Sequence, residues 1–357
     1  MDRRNHCVAL DGLRGLAAFS VLLFHLGHWQ QHPWVAGNAG QAVDFFFALS
    51  GYVLSVAYQP KLNRGMKALT FIRIRLIRLM PIIILGTSIS ASYFIARVLI
   101  LRDPQINTDE LSRAMLLGFV CLPTFNASKA IGGPAVFPLN APQYTLFLEL
   151  FVNGFWLATR RMESLWFALA IFLTSYVITA IFGMTGDQQK GFWTGFPRVF
   201  GAYYSGVAIY HAQIRWPWLS YRLVGFLFWP ILFLTFMLFY WPMPLSPWLS
   251  WGWSLLFSPM LVLAGTRVQL NKSVYRTALV LGELSYPVYA LHYPIFVWVN
   301  AIYQQTLHRK SFEIGSTLAV PAVLLGAWLI LKWIDEPIRK ALTAWTGKSA
   351  FLPFPLG

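Results

Sequence analysis

A chain of 357 residues in which 57% are hydrophobic and 11% charged is not built like a soluble domain, where about 25% are charged. The net charge of +15 does not make it a nucleic-acid binder. Lys and Arg gather in alternate loops, the positive-inside pattern of membrane topology, and no basic patch joins a recognisable nucleic-acid module. Cys7 and Cys121 are far apart, without metal-ligand spacing, so neither a metal nor a disulfide framework is expected.

In chain order, about ten apolar stretches read as membrane spans, at roughly 13–30, 40–58, 80–101, 143–159, 164–182, 196–212, 222–241, 248–265, 284–305 and 314–334. The expected fold is all-α: a polytopic membrane protein, one membrane-embedded unit over 1–357, with both termini cytoplasmic. Arg3 and Arg4 before an apolar core resemble a signal peptide. Asp11 and Arg14 interrupt that core and no convincing small-x-small site follows, so the first span is expected to be uncleaved. The loops set the orientation. Lys61, Arg64, Lys67, Arg73, Arg75 and Arg78 come out cytoplasmic. So do Arg160 and Arg161; Arg215 and Arg222; Arg267, Lys272 and Arg276; and Arg339, Lys340 and Lys348 of the tail. His308, Arg309 and Lys310 are the basic group this topology leaves outside. Leu111–Pro123 is apolar but short, and its crossing would invert the pattern, so it is expected outside as an interfacial or re-entrant piece. Pro230, Pro259, Pro287, Pro294 and Pro321 fall within spans, where they can kink helices. No internal repeat is evident, which weighs against many transporter architectures. The tail after Ile334 is too short to fold alone, so no second domain is expected.

The first span, LDGLRGLAAFSVLLFHLGH from Leu10 to His28, carries Asp11 and Arg14 at its start and His25 and His28 near its end. An ionisable group at membrane depth is costly and points to function. At the rise of an α-helix, Arg14 and His25 stand about 16 Å apart. The plainer alternative is a neutral His25 bonded to a neighbouring helix. In VDFFFALSGYVL, Asp44 lies at the depth of His25, roughly 6–8 Å below the outer surface. It either orients the imidazole or faces water at the helix start, where its charge suits the dipole.

In FIRIRLIRLMP, Arg75 and Arg78 share a helical face, with Arg73 on an adjacent one. They either anchor topology or clamp a phosphate or pyrophosphate by guanidinium fork geometry. In NAPQYTLFLELFVN, Glu149 lies about 9 Å deep. It either pairs with a buried arginine, Arg97 or Arg198, or binds a hydroxylated acceptor. In LGELSYPVYALHYP, Tyr286 and Tyr289 share a face with His292 or with a ligand. His292 either takes part in catalysis or bonds between helices.

Together and in this order, these stretches resemble the acyltransferase-3 family of integral membrane O-acyltransferases, which also has about ten spans. Tyr144-Thr145 stand where that family commonly has Trp-Ser, and WIDEPIRK, Trp333 to Lys340, looks like its C-terminal motif. The resemblance implies transfer of an acyl group, often acetyl from acetyl-CoA, to a carbohydrate hydroxyl outside the bacterial cytoplasmic (inner) membrane. It places functional weight on Arg14, His25 and the Arg75/Arg78 pair. On this reading His25 is a general base or a transient acyl carrier, with Asp44 and Glu149 as catalytic neighbours. Arg14, Arg73, Arg75 and Arg78 hold the acyl-CoA, and Tyr289 and His292 contact the acceptor. Expected partners are a carbohydrate acceptor and membrane lipids. Some relatives carry a fused extracytoplasmic esterase-like domain; none is expected here, so any such step would need a separate protein. The rival classes are a carrier that moves an acylated or anionic solute on the same charges, and a binding scaffold without turnover.

Overall fold

The computed structural model describes residues 4–307 and 312–345. Arg3, His308, Arg309, Lys310 and Lys348 lie outside the described residues, as does the side chain of Cys7; Cys121 is a buried free thiol. The described elements are helical, with one isolated bridge between Ala135 and Gln188. Besides short helical turns, they are α1 (Arg4–Trp29), α2 (Ala42–Asn63), α3 (Ala68–Leu99), α4 (Thr108–Phe119), α5 (Gln143–Thr159), α6 (Leu165–Phe182) and α7 (Gly195–Arg215). Then follow α8 (Phe228–Phe239), α9 (Pro247–Gly265), α10 (Lys272–Leu307) and α11 (Ile314–Trp345). α9 and α11 each include a π-helical turn, at Trp253–Phe257 and Leu331–Asp335.

Each expected span falls on one of these helices, and the chain is an all-α polytopic membrane protein. Five helical stretches combine spanning length with a mean hydropathy of at least 1.2: Val8–Trp29, Ala39–Asn63, Leu165–Phe182, Pro247–Gly265 and Ile314–Trp345. Among the others, α5 has 17 residues and α8 has 12, and α3 carries four arginines, Arg73, Arg75, Arg78 and Arg97.

Two boundaries differ from expectation in a way that matters. α3 begins at Ala68 rather than near 80, so Arg73, Arg75 and Arg78 sit inside a helix rather than in a loop. α10 begins at Lys272 rather than near 284, which carries Gly282 and Ser285 along α1. The Leu111–Pro123 stretch forms α4, whose 12 residues reach about 18 Å, short of the roughly 30 Å of a bilayer core. Asn107 caps it by accepting from the backbone N–H groups of Asp109 and Glu110, and Leu111 and Ala114 pack on Ala91 and Phe94 of α3.

Small residues bring the site-bearing helices together. A Cβ on Gly15 of α1 would stand 2.4 Å from the Leu281 carbonyl oxygen of α10, and one on Gly282 would stand 2.7 Å from Asp11 Cβ. Between α2 and α7, a Cβ on Gly51 would lie 2.0 Å from the Tyr203 carbonyl oxygen, and one on Gly206 would lie 1.9 Å from that of Ala48. Such close backbone approach is how helices associate where apolar burial alone gives little driving force. The α1–α10 pair thus sets Arg14 and His25 against Ser285, Tyr289 and His292. The α2–α7 pair sets Asp44 against Arg198.

Candidate active site

Two cavities lie one beyond the other along α1. The inner one, of about 100 Å³, is lined by Arg14, Arg75, Arg78 and Glu149, by Ser50 and Ser285, and by apolar side chains including Phe46, Phe47 and Leu79. Arg14 donates from Nε to Ser285 Oγ at 2.7 Å and from Nη2 to the Gly282 carbonyl at 3.1 Å, and it pairs with Asp11 at 3.2 Å. Its fork therefore pins α1 to α10. Buried Arg75 forms an ion pair with Glu149, which also accepts from Ser50 Oγ at 3.0 Å. Arg78 lines the same cavity, and among the described residues no carboxylate lies within ion-pair distance of it. Three arginines face one carboxylate in this wall, so the cavity is positive, as an anionic ligand requires.

Arg73 does not join them. It is exposed on another face of α3 and lines neither cavity. Glu149 is also not placed as its depth suggested. Its partner is Arg75, whereas Arg97 pairs with Asp103 and Arg198 with Asp44. The reason is the early start of α3, which puts Arg75 on a helix in ion-pair contact with Glu149 of α5. Glu149 consequently belongs to the inner cavity and not to the cavity of His25.

The outer cavity, of about 340 Å³, is lined by His25, Gln41, Asp44, Tyr144, Thr185, Asp187 and Arg198, among others. Asp44 is fully buried and takes a two-pronged hydrogen bond, from Arg198 Nε to Oδ1 at 2.7 Å and from Nη2 to Oδ2 at 3.0 Å. Both oxygens are committed, so Asp44 neither faces water nor holds His25. The ring that holds His25 is His292: its Nε2 lies 3.1 Å from His25 Nδ1, which is also 3.0 Å from the Val21 carbonyl oxygen. His292 is fully buried and lines neither cavity, so it is not placed to touch an acceptor in them. His28 is exposed and its ring bonds the Phe24 carbonyl of its own helix, at 3.0 Å.

The cavities share a wall made by Val43, Phe47, Thr145 and Tyr289. Within it the Tyr289 hydroxyl and Thr145 Oγ1 are hydrogen-bonded at 2.6 Å. Tyr289 thus lines both spaces, while the Tyr286 hydroxyl donates to the Leu79 carbonyl at 2.7 Å.

Several residues of the site carry no mark in the sequence that singles them out. Thr145, Ser50 and Ser285 are small hydroxyls, common as helix–helix contacts, although each falls inside one of the stretches with buried charge. Arg198 was legible only as a candidate partner for Glu149. The Tyr144 hydroxyl and Gln41 Oε1 are buried on the outer cavity with no hydrogen-bond partner among the described residues. They leave hydrogen-bonding capacity for a polar occupant.

The chain is similar to "Protein 2 in picA locus" of Rhizobium radiobacter, with 34% identity over 186 residues, which covers 48% of this chain and 94% of that relative. No solved structure matches the chain. The acyltransferase-3 profile, described as an acyltransferase domain, matches residues 8–332. That range holds both cavities and every side chain described in them, and the chain belongs to the acyltransferase-3 family.

Proposed function

We propose that this acyltransferase moves an acyl group, in the first instance acetyl, from acyl-CoA to a hydroxyl of a cell-surface or secreted carbohydrate, working in the bacterial cytoplasmic membrane with about ten spans and both termini inside. The observation that carries this reading is the pair of cavities along α1, an inner one rich in arginine and an outer one containing His25, meeting at the Tyr289–Thr145 wall. Arg78, with Arg75, would take the phosphates of coenzyme A, for which guanidinium forks are suited. The pantetheine arm is comparable in length to the roughly 16 Å from Arg14 to His25, so the thioester would reach the shared wall while the nucleotide stays at the inner face. The acceptor would enter the outer cavity, where Gln41 and Tyr144 offer unpaired polar atoms. His25 would take the proton of its hydroxyl as the oxygen attacks the thioester carbonyl. A C–O bond forms, the C–S bond breaks, and the proton passes on to the thiolate that leaves.

Sidedness tests this arrangement. In sealed, oriented vesicles, acetyl-CoA should support transfer only from the cytoplasmic face and a soluble glycan should accept only at the other. Efficient turnover with both substrates confined to one side would overturn the two-entrance reading. Solute flux without acyl consumption would favour a carrier.

The arginines give a second test. Arg78→Lys keeps the positive charge that sets topology but loses the fork. Loss of a charge-assisted hydrogen bond costs about 1.5–3 kcal/mol, so the KM for acyl-CoA should rise roughly ten- to a hundredfold with kcat little changed. Arg75→Lys is less clean because Arg75 also holds Glu149. An unchanged KM in Arg78→Lys would return this residue to a topological role.

A further inference from the structure

We propose that His292 is a positioning residue that fixes His25 in the tautomer whose Nε2 is free to take a proton. The inference rests on the reading of His25 as the base. It follows from a short chain of groups whose donors and acceptors can be assigned. The Val288 carbonyl lies 3.1 Å from His292 Nδ1, and a carbonyl only accepts, so His292 carries its proton on Nδ1. In a neutral imidazole this leaves Nε2 as an acceptor. That acceptor faces His25 Nδ1 at 3.1 Å, so His25 must donate from Nδ1. The Val21 carbonyl, 3.0 Å from the same nitrogen, demands the same proton placement. Two independent acceptors therefore agree, and the lone pair of His25 is on Nε2; among the described residues the hydrogen bonds of His25 run through Nδ1 alone. His25 lines the outer cavity, where the acceptor hydroxyl would come.

When His25 Nε2 takes the hydroxyl proton, the ring becomes an imidazolium and its Nδ1–H bond to His292 strengthens. The proton then leaves from Nε2 to the coenzyme A thiolate, and His292 keeps its own Nδ1 proton throughout, so no proton is gained or lost by the pair. The task is the one a carboxylate performs behind a catalytic histidine in hydrolases, which holds the ring in one tautomer and supports its charged form. Here the carboxylate that depth alone would nominate, Asp44, is consumed by Arg198. A neutral acceptor in its place avoids the cost of burying an uncompensated charge between α1 and α10. Packing fixes His292 for this role: its ring centroid lies 4.9 Å from that of His25 and 5.7 Å from that of Phe296, with Val288 and Leu291 buried beside it.

The test compares His292→Ala, His292→Leu and His292→Gln in the full-length purified protein, with acetyl-CoA as donor. Removing the acceptor behind an imidazole should lower kcat about ten- to a hundredfold, while the KM values for donor and acceptor stay near wild type. His292→Gln, whose side-chain oxygen can accept where Nε2 does, should recover most of the kcat. His292→Leu fills the buried volume, so it reads the same loss should the Ala variant fail to fold. A raised acceptor KM with kcat retained would make His292 a substrate contact and overturn the proposal. So would wild-type kcat in His292→Leu beside an inactive His25→Ala. Activity in His25→Ala itself would instead remove the base reading on which the proposal stands.

Discussion

His25→Ala should reduce acyl transfer about a hundredfold or more, the range for loss of a general base, in a protein that still folds and still binds acyl-CoA. Folding should survive because α1 is held mainly by other contacts. Val21, Leu22 and Leu26 are buried around His25, and Arg14 ties the inner end to α10. What the substitution leaves behind is one unpaired acceptor, His292 Nε2. That costs about 1–3 kcal/mol, enough to lower the melting temperature but not to empty the folded state. Donor binding should persist because the arginines line the inner cavity, and His25 does not. Turnover measured with purified, folded variant decides the matter: near-wild-type activity would remove His25 from the chemistry. Recovery of an acyl adduct on His25 in the wild-type enzyme would instead assign it as an acyl carrier, using the same Nε2 lone pair.

How far the sequence could be read depends on which coordinate of the structure is asked for. Apolar runs mark the helices, α4 among them; at 12 residues each, α4 and α8 are both shorter than the about 20 that cross a bilayer. Counting residues from a helix end gives an expected depth, and His25 and Asp44, expected at one level, line the same cavity. Depth does not give direction around the helix axis, nor which helices are neighbours. Asp44 thus looked like a partner for His25, while the bundle turns it to Arg198, 154 residues on. The true partner of His25 stands 267 residues away on α10. Glu149 differs for another reason: it does meet a buried arginine, but that arginine is Arg75, on a helix expected to start only at its apolar run. Basic residues were read as loop, and the helix runs on through them to Ala68, which brings Arg75 to Glu149. Positive charge marks the side of a membrane but does not terminate a helix, since Arg has good helix propensity.

Asp44→Ala should be the most damaging single substitution for stability. Asp44 is fully buried, and removing it leaves the Arg198 guanidinium without its carboxylate. Breaking a buried pair from one side typically costs about 3–5 kcal/mol, so little folded protein should survive extraction into detergent. The pair also closes the outer end of the bundle. Arg198 donates to the Gly40 and Met184 carbonyls, both at 3.4 Å, linking α7 to the turn before α2 and to the segment following α6. Both of those segments line the outer cavity. The double variant Asp44→Ala with Arg198→Met separates structure from chemistry, because it removes both charges and keeps apolar bulk. Replacing both members of a buried pair is often neutral for stability, so the double variant should regain much of the folded yield that the single variant loses. If the pair is architectural, the refolded double variant transfers acyl groups at a rate within about tenfold of wild type, short of the hundredfold expected for removal of a catalytic proton acceptor. A double variant that folds, binds acyl-CoA and fails to turn over would restore Asp44 to the chemistry, acting on substrate in the outer cavity and not through His25.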